Sequence, residues 1–254
     1  MTEPRPDDRA VRLELADTVA TITFDAPHRG NRFTVATMLA LITALERASG
    51  QAVVLVLRAT GPDFSFGRDS SERIPGLSNV EALRLITSVN ALLRNFTGVS
   101  IAVVQGHALG FGAGLALQSD ITLATEDAVL GFDEILHGLA PLVVVDYLRS
   151  YVGPKLATEL VVTGRLLTAI EAQRVGMVNR IVPTRSLASE ADALVDHLRR
   201  RPAGALRLLK RFTHDTVAGA VTDPGEEAIT RLDNWLSAGR PDVPPAPAAV
   251  LAMP

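Results

Sequence analysis

Apolar and polar residues alternate along Val11–Leu15 and again along Val19–Phe24, with Ala16-Asp17 between the two runs. A period of two puts successive side chains on opposite faces, so this stretch predicts a β-hairpin. Apolar positions then recur at helical spacing from Phe33 to Ala48, with Thr34 placed to cap the first turn. Ala52–Arg58 is a nearly unbroken, valine-rich apolar run, the pattern of a strand covered on both faces. A polar loop, Gly61–Arg68, separates it from a second amphipathic helix at Val80–Phe96. Ser100–Gln105 predicts a third buried strand, and Ile121–Ala124 and Ala128–Leu130 predict two short ones. Alternating strands and helices indicate an α/β architecture. From about Pro141 the pattern is almost wholly helical. Thr168-Ala169-Ile170-Glu171 has the form of a capping box, and Ser186–Arg200, Ala203–Thr216 and Glu226–Ser237 predict further helices.

These patterns divide the chain into a flexible N-terminus (1–10), an α/β core carrying the chemistry (11–195), a helical oligomerisation region (196–240) and an irregular Pro/Ala-rich tail (241–254). Composition then narrows the function. A net charge of −3 and 4% aromatic residues give nucleic acid nothing to bind or stack on. No run reaches the roughly 20 apolar residues of a membrane span, and the first ten residues lack the apolar core of a signal peptide. The absence of cysteine excludes disulfides and thiolate chemistry, and a cytoplasmic location is expected. His28, His107, His137, His197 and His214 do not pair at ligand spacing, so no metal site is expected.

The candidate chemistry centres on Ala108-Leu109-Gly110-Phe111-Gly112-Ala113-Gly114-Leu115 and on Glu134. The glycine run lacks the Lys-Ser/Thr of a phosphate loop, and Leu115 stands where a dinucleotide fingerprint needs its third glycine. Close packing of a strand on a helix would also explain the run. As the start of a helix, however, it offers unpaired N–H groups and the positive end of a dipole. An anion stabiliser with one carboxylate nearby suggests proton chemistry beside a carbonyl.

Five segments, in order, resemble the crotonase (enoyl-CoA hydratase/isomerase) superfamily. Thr23-Phe24-Asp25-Ala26-Pro27-His28-Arg29-Gly30-Asn31 is similar to its N-terminal strand and turn, and Asp63-Phe64-Ser65-Phe66-Gly67-Arg68-Asp69 to its F-x-x-G-x-D loop. Gln105–Gly112 resembles N-G-x-A-x-G-G-G, and Leu130–Ile135 resembles F-x-x-P-E. Thr163–Val178 is similar to T-G-x-x-x-x-A-x-E-A-x-x-x-G-L-V. The resemblance implies a spiral of ββα units followed by helices that build trimers or hexamers. It also implies an acyl-CoA substrate and no cofactor beyond the coenzyme A that the substrate carries. Carried over by position, the thioester oxygen would lie between the backbone N–H groups of Arg68 and Phe111. Phe66, Gly67 and Gly110 would line the substrate site, and Arg29 would meet the coenzyme A. The Phe111 ring would crowd the acyl group, and Arg68 would add a cation.

Hydratases of this family use two glutamates. Here the first position is Gly114 and the second is Glu134. One carboxylate can move a proton between two carbons, so the resemblance points to a Δ3,Δ2-enoyl-CoA isomerase. Hydration, decarboxylation and thioester hydrolysis are the enzymatic alternatives, and a catalytically degraded acyl-CoA-binding protein is the non-enzymatic one. Asp69, Glu72 and Asp133 are candidates for a second acid or for solvated, helix-start charges. His137 could orient Glu134 or be structural, His107 is expected to be structural, and Trp235 should anchor the last helix at a subunit interface.

Overall fold

The computed structural model describes residues 10–217 and 219–241. The expected N-terminal arm and tail therefore lie outside the described residues, apart from Ala10 and Pro241. The hairpin is β1 (Val11–Ala16) and β2 (Val19–Phe24), with Asp17 at φ 52 in its turn. The chain continues through α1 (Val35–Ser49), β3 (Val54–Ala59), α2 (Asn79–Arg94), β4 (Val99–Val104), β5 (His107–Leu109), α3 (Phe111–Gln118), β6 (Ile121–Thr125) and β7 (Val129–Gly131). A 3-10 turn at Glu134–His137 leads to α4 (Leu142–Val152), α5 (Pro154–Thr163), β8 (Leu167–Thr168), α6 (Ala169–Arg174) and β9 (Arg180–Val182). Helices α7 (Leu187–Arg199), α8 (Ala203–Val217) and α9 (Pro224–Ser237) complete the described chain.

Six strands form one sheet in the order β1-β2-β3-β4-β6-β9, parallel beyond the hairpin, while β5, β7 and β8 form a second. Single bridges extend the pattern: Phe33 pairs with Arg68, and Ser65 with Ala108. Successive passes of the chain thus place a strand in the large sheet, a short extended stretch beside it, and then a helix. This is the expected spiral of ββα units. The apolar strands are covered on both faces, as their unbroken composition requires. On one face α7 buries Leu187, Ala191 and Leu194 against Val54, Ile101 and Leu123. The division expected at 195/196 therefore falls inside a helix that covers the sheet.

The other face holds a ladder of phenylalanines. Phe24 meets Phe33 and Phe64 edge to face, at centroid distances of 4.9 and 5.4 Å, and Phe33 meets Phe111 at 5.0 Å. Helix starts are secured by side chains. Thr34 accepts from the Thr37 amide, and the box at Thr168 and Glu171 is reciprocal. A second box at Ser78 and Glu81 was equally readable in sequence.

Asn31 locks the turn after β2 to the loop that follows β3. Its side chain accepts from the Ala26 N–H at 2.8 Å and donates to the carbonyls of Thr60 and Asp63 at 2.9 and 2.8 Å. It is 3% exposed and sits at φ 49, a conformation asparagine tolerates better than most residues. Asn31→Ala would leave three backbone groups without partners, each worth about 1–3 kcal/mol when buried. The expected result is a loss of at least about 3 kcal/mol by that reckoning, read by chemical denaturation.

Candidate active site

A cavity of about 400 Å³ opens where three passes of the spiral meet, among the 66–70 loop, the start of α3, the Glu134 turn and the start of α4. Its floor is main chain. Gly67 has φ +79, and a Cβ built there would stand 2.7 Å from the Leu109 carbonyl oxygen and 3.2 Å from the Phe111 nitrogen. Only a residue without a side chain lets the two backbones come this close.

The hydrogen bonding of this loop determines which groups remain free. Ser65 Oγ donates to the Asn31 carbonyl and accepts from the Gly67 amide at 3.0 Å. The Phe33 amide donates to the Gly67 carbonyl, and the Asp69 amide to the Phe33 carbonyl. In an extended segment alternate amides face opposite ways, so the Arg68 N–H between them turns away from Phe33. Among the described residues no acceptor stands against it, nor against the Phe111 amide that opens α3. Phe111 itself is 6% exposed and belongs to the phenylalanine ladder. Its ring was expected to crowd the substrate. It is a core group that anchors the amide.

Glu134 projects toward this floor. A methyl built on Gly110 would lie 3.1 Å from its Oε1, and Oε2 is buried with no hydrogen-bond partner among the described residues. Burial pushes its carboxyl above the ordinary glutamate value, opposed by its own amide; Asp133 adds to the rise and His137 reduces it. A proton acceptor at the mouth of an anion-stabilising floor is the arrangement that enolate chemistry needs.

The other candidates separate. Phe66, Gly67, Arg68, Gly110, Phe111 and Glu134 all line the cavity; Arg29 does not, being in the 3-10 turn Pro27–Arg29. Asp133 lies 3.3 Å from His137, and both line the rim. Asp69 accepts from Ser71, and the Glu72 carboxylate accepts from the Val35 amide at the start of α1, so both are local or helix-start charges. His107 is tied to Asp63 at 2.8 Å and stacks on Phe66. The Trp235 indole lies against Gly204 of α8, where a Cβ would stand 3.1 Å from its nitrogen. The lining residues that sequence reasoning did not single out include Arg32 and Tyr147. Arg32 sits 5.4 Å over the Phe66 ring, and Tyr147 of α4 is 7% exposed.

No helix among the described residues is long and apolar enough to cross a membrane, and no group of three or more metal-ligating side chains occurs among them.

Comparison with known proteins agrees with this arrangement. Residues 14–230 match the family described as Enoyl-CoA hydratase/isomerase. A Thermus thermophilus protein provisionally named an enoyl-CoA hydratase is 35% identical over 201 residues, covering 76% of this chain and 79% of its own. The crystal structure of an enoyl-CoA hydratase from Mycobacterium smegmatis superposes with a TM-score of 0.82 at 27% identity, covering 92% of this chain and 91% of the other. A Thermobifida fusca protein, provisionally named an enoyl-CoA hydratase and solved in complex with CoA, gives 0.80 at 30% identity, covering 90% and 93%. With its motifs in order and its fold shared over about nine-tenths of its length, the chain belongs to the enoyl-CoA hydratase/isomerase family.

Proposed function

We propose that the cavity binds an acyl-CoA thioester and that the protein is a Δ3,Δ2-enoyl-CoA isomerase. The observation that carries this reading is the part-buried carboxylate of Glu134 facing two backbone amides without an acceptor among the described residues, with Asp133 engaged by His137 at the rim and glycine at position 114. The thioester oxygen would accept from the N–H groups of Arg68 and Phe111. Glu134 takes a proton from C2 of a 3-enoyl thioester. The C2–H bond breaks, its electron pair forms a C1–C2 double bond, and negative charge develops on the thioester oxygen, giving a dienolate that keeps the 3,4 double bond. The protonated Glu134 then delivers the same proton to C4; the 3,4 pair makes the C4–H bond, the C1–C2 pair becomes the 2,3 double bond, the thioester carbonyl re-forms and the carboxylate is restored. Amides fixed before the substrate arrives favour the dienolate over the ground state.

The CoA complex of the Thermobifida fusca relative supports the substrate class. Arg29, outside the cavity, would meet the nucleotide end of the coenzyme A. Leu209 of α8 and Ile229 and Leu232 of α9 are exposed, which fits a trimer or hexamer burying that face. The relatives' names favour hydration as the second reading.

The test offers purified protein 2-enoyl and 3-enoyl CoA thioesters and follows ultraviolet absorbance of the conjugated product. Isomerisation makes that absorbance rise from the 3-enoyl substrate. Hydration makes it fall from the 2-enoyl substrate, and this fall without any rise would replace the reading. Because the base must be ionised and its pKa is raised, the acid limb of kcat/KM should lie above 4.5, the ordinary glutamate value.

A further inference from the structure

The place where a second acid would project is filled from another helix. A Cβ built on Gly114 would stand 2.5 Å from the Tyr147 hydroxyl oxygen and 3.4 Å from the ring carbon that bears it. Tyr147 is held rather than mobile: it belongs to the main core cluster and meets Phe132 edge to face at 6.4 Å. Behind Gly114, the Gln118 amide donates to the Gly114 carbonyl and to Asn90 Oδ1, and Arg94 donates to Gln118 Oε1. The polar groups that back position 114 are thus already satisfied, and the tyrosine ring closes the cavity side.

We infer that Tyr147 is a specificity-determining residue: its neutral hydroxyl occupies the volume of a second acid, denies that volume to a water molecule, and so excludes addition of water at C3 while leaving proton transfer from C2 to C4 open. This rests on the acyl-CoA reading of the cavity. Hydration forms a C3–O bond from water and a C2–H bond, and it needs a water held near C3. Isomerisation breaks C2–H and makes C4–H, and it needs only Glu134. Burial and the nearby charge of Glu134 both oppose ionisation of the phenol. Tyr147 therefore serves as a neutral group and not as a second base.

The geometry gives a paired test. Tyr147→Phe removes one oxygen and leaves a gap the size of a water beside Gly114. Gly114→Ala in that background refills it, because the new methyl then meets ring carbon at 3.4 Å, ordinary contact. Rates with 2-enoyl and 3-enoyl thioesters are measured on wild type, Y147F and the G114A/Y147F double variant. A one-heavy-atom change in a pocket is worth upward of about tenfold. The ratio of hydration to isomerisation should rise about tenfold in Y147F and return toward wild type in the double variant. An unchanged ratio in a Y147F protein of normal Tm overturns the proposal. Thermal melts supply a reading that needs no substrate: G114A should destabilise the wild-type protein more than it destabilises Y147F, where the clash is gone. If the two melts add independently, the steric exclusion is wrong. If wild type never isomerises but the melts couple and Y147F gains hydration, the isomerase reading falls and the exclusion stands.

Discussion

Glu134→Gln should lower isomerase turnover about 10²–10⁴-fold, the range over which a positioned acid–base group acts. The substitution keeps the shape of the side chain and removes its ability to take and return the C2 proton. Thioester binding should survive, because the cavity wall and the amides of Arg68 and Phe111 are untouched, so the loss belongs to kcat. The protein should not be destabilised by the change. The folded state holds the Glu134 proton more tightly than the unfolded chain does, since burial raises its pKa. For a raised carboxylate the sign is the reverse of the usual one. The penalty is absent below the unfolded value, grows as pH rises from there to the raised value, and is fully present above it. Glutamine removes it. A Tm equal to or above wild type at pH 7, with turnover lost, identifies a chemical role. Full turnover by this variant would refute the proton shuttle.

Gly67→Ala should cost about 10²–10³ in kcat, the usual loss of one oxyanion donor. An alanine there must adopt φ +79 and place its methyl 2.7 Å from the Leu109 oxygen and 3.2 Å from the Phe111 nitrogen. One of the two strands of backbone has to move. Whichever moves takes the Arg68 amide or the Phe111 amide out of aim. Steady-state kinetics on 3-enoyl thioesters, beside a binding isotherm for CoA itself, separate this from loss of the binding site. The expected pattern is a fall in kcat far larger than the fall in CoA affinity. Gly50 gives the control, because a methyl there meets nothing within 4 Å.

Much of this architecture was legible in local sequence. The hairpin followed from its period of two, the buried strands from their unbroken apolar runs, and the Thr168–Glu171 box from its spacing. The strand β5 was not visible. Three residues, His107–Leu109, carry no measurable alternation, and their pairing with Val129–Gly131 is a product of tertiary packing. At the site, Phe66, Gly67, Arg68, Gly110, Phe111 and Glu134 come together around one cavity, because the spiral brings the ends of three passes together, while Arg29 lies outside it. Tyr147 and Arg32 were missed for different reasons. Arg32 adjoins a recognised turn but belongs to no motif. Tyr147 reads in sequence as one more apolar position of α4, and only folding brings its hydroxyl against Gly114. Phe111 lines the cavity, and the burial of its ring against Phe33 is a contact that only folding makes.

On the proposed reading, the grip on negative charge is made by main chain where two passes of backbone touch at Gly67, and it owes nothing to the identity of the side chain at 68, whereas the Phe111 ring holds its own amide in place. Substitutions at position 68 can therefore drift, or be chosen, without dismantling it. A designer wanting a different outcome from the same enolate would leave the floor and Glu134 alone and exchange groups on the wall contributed by α4. On this reading the scaffold would separate generating a reactive carbanion from deciding its fate, a division of labour that would make it a tractable starting point for redirected catalysis.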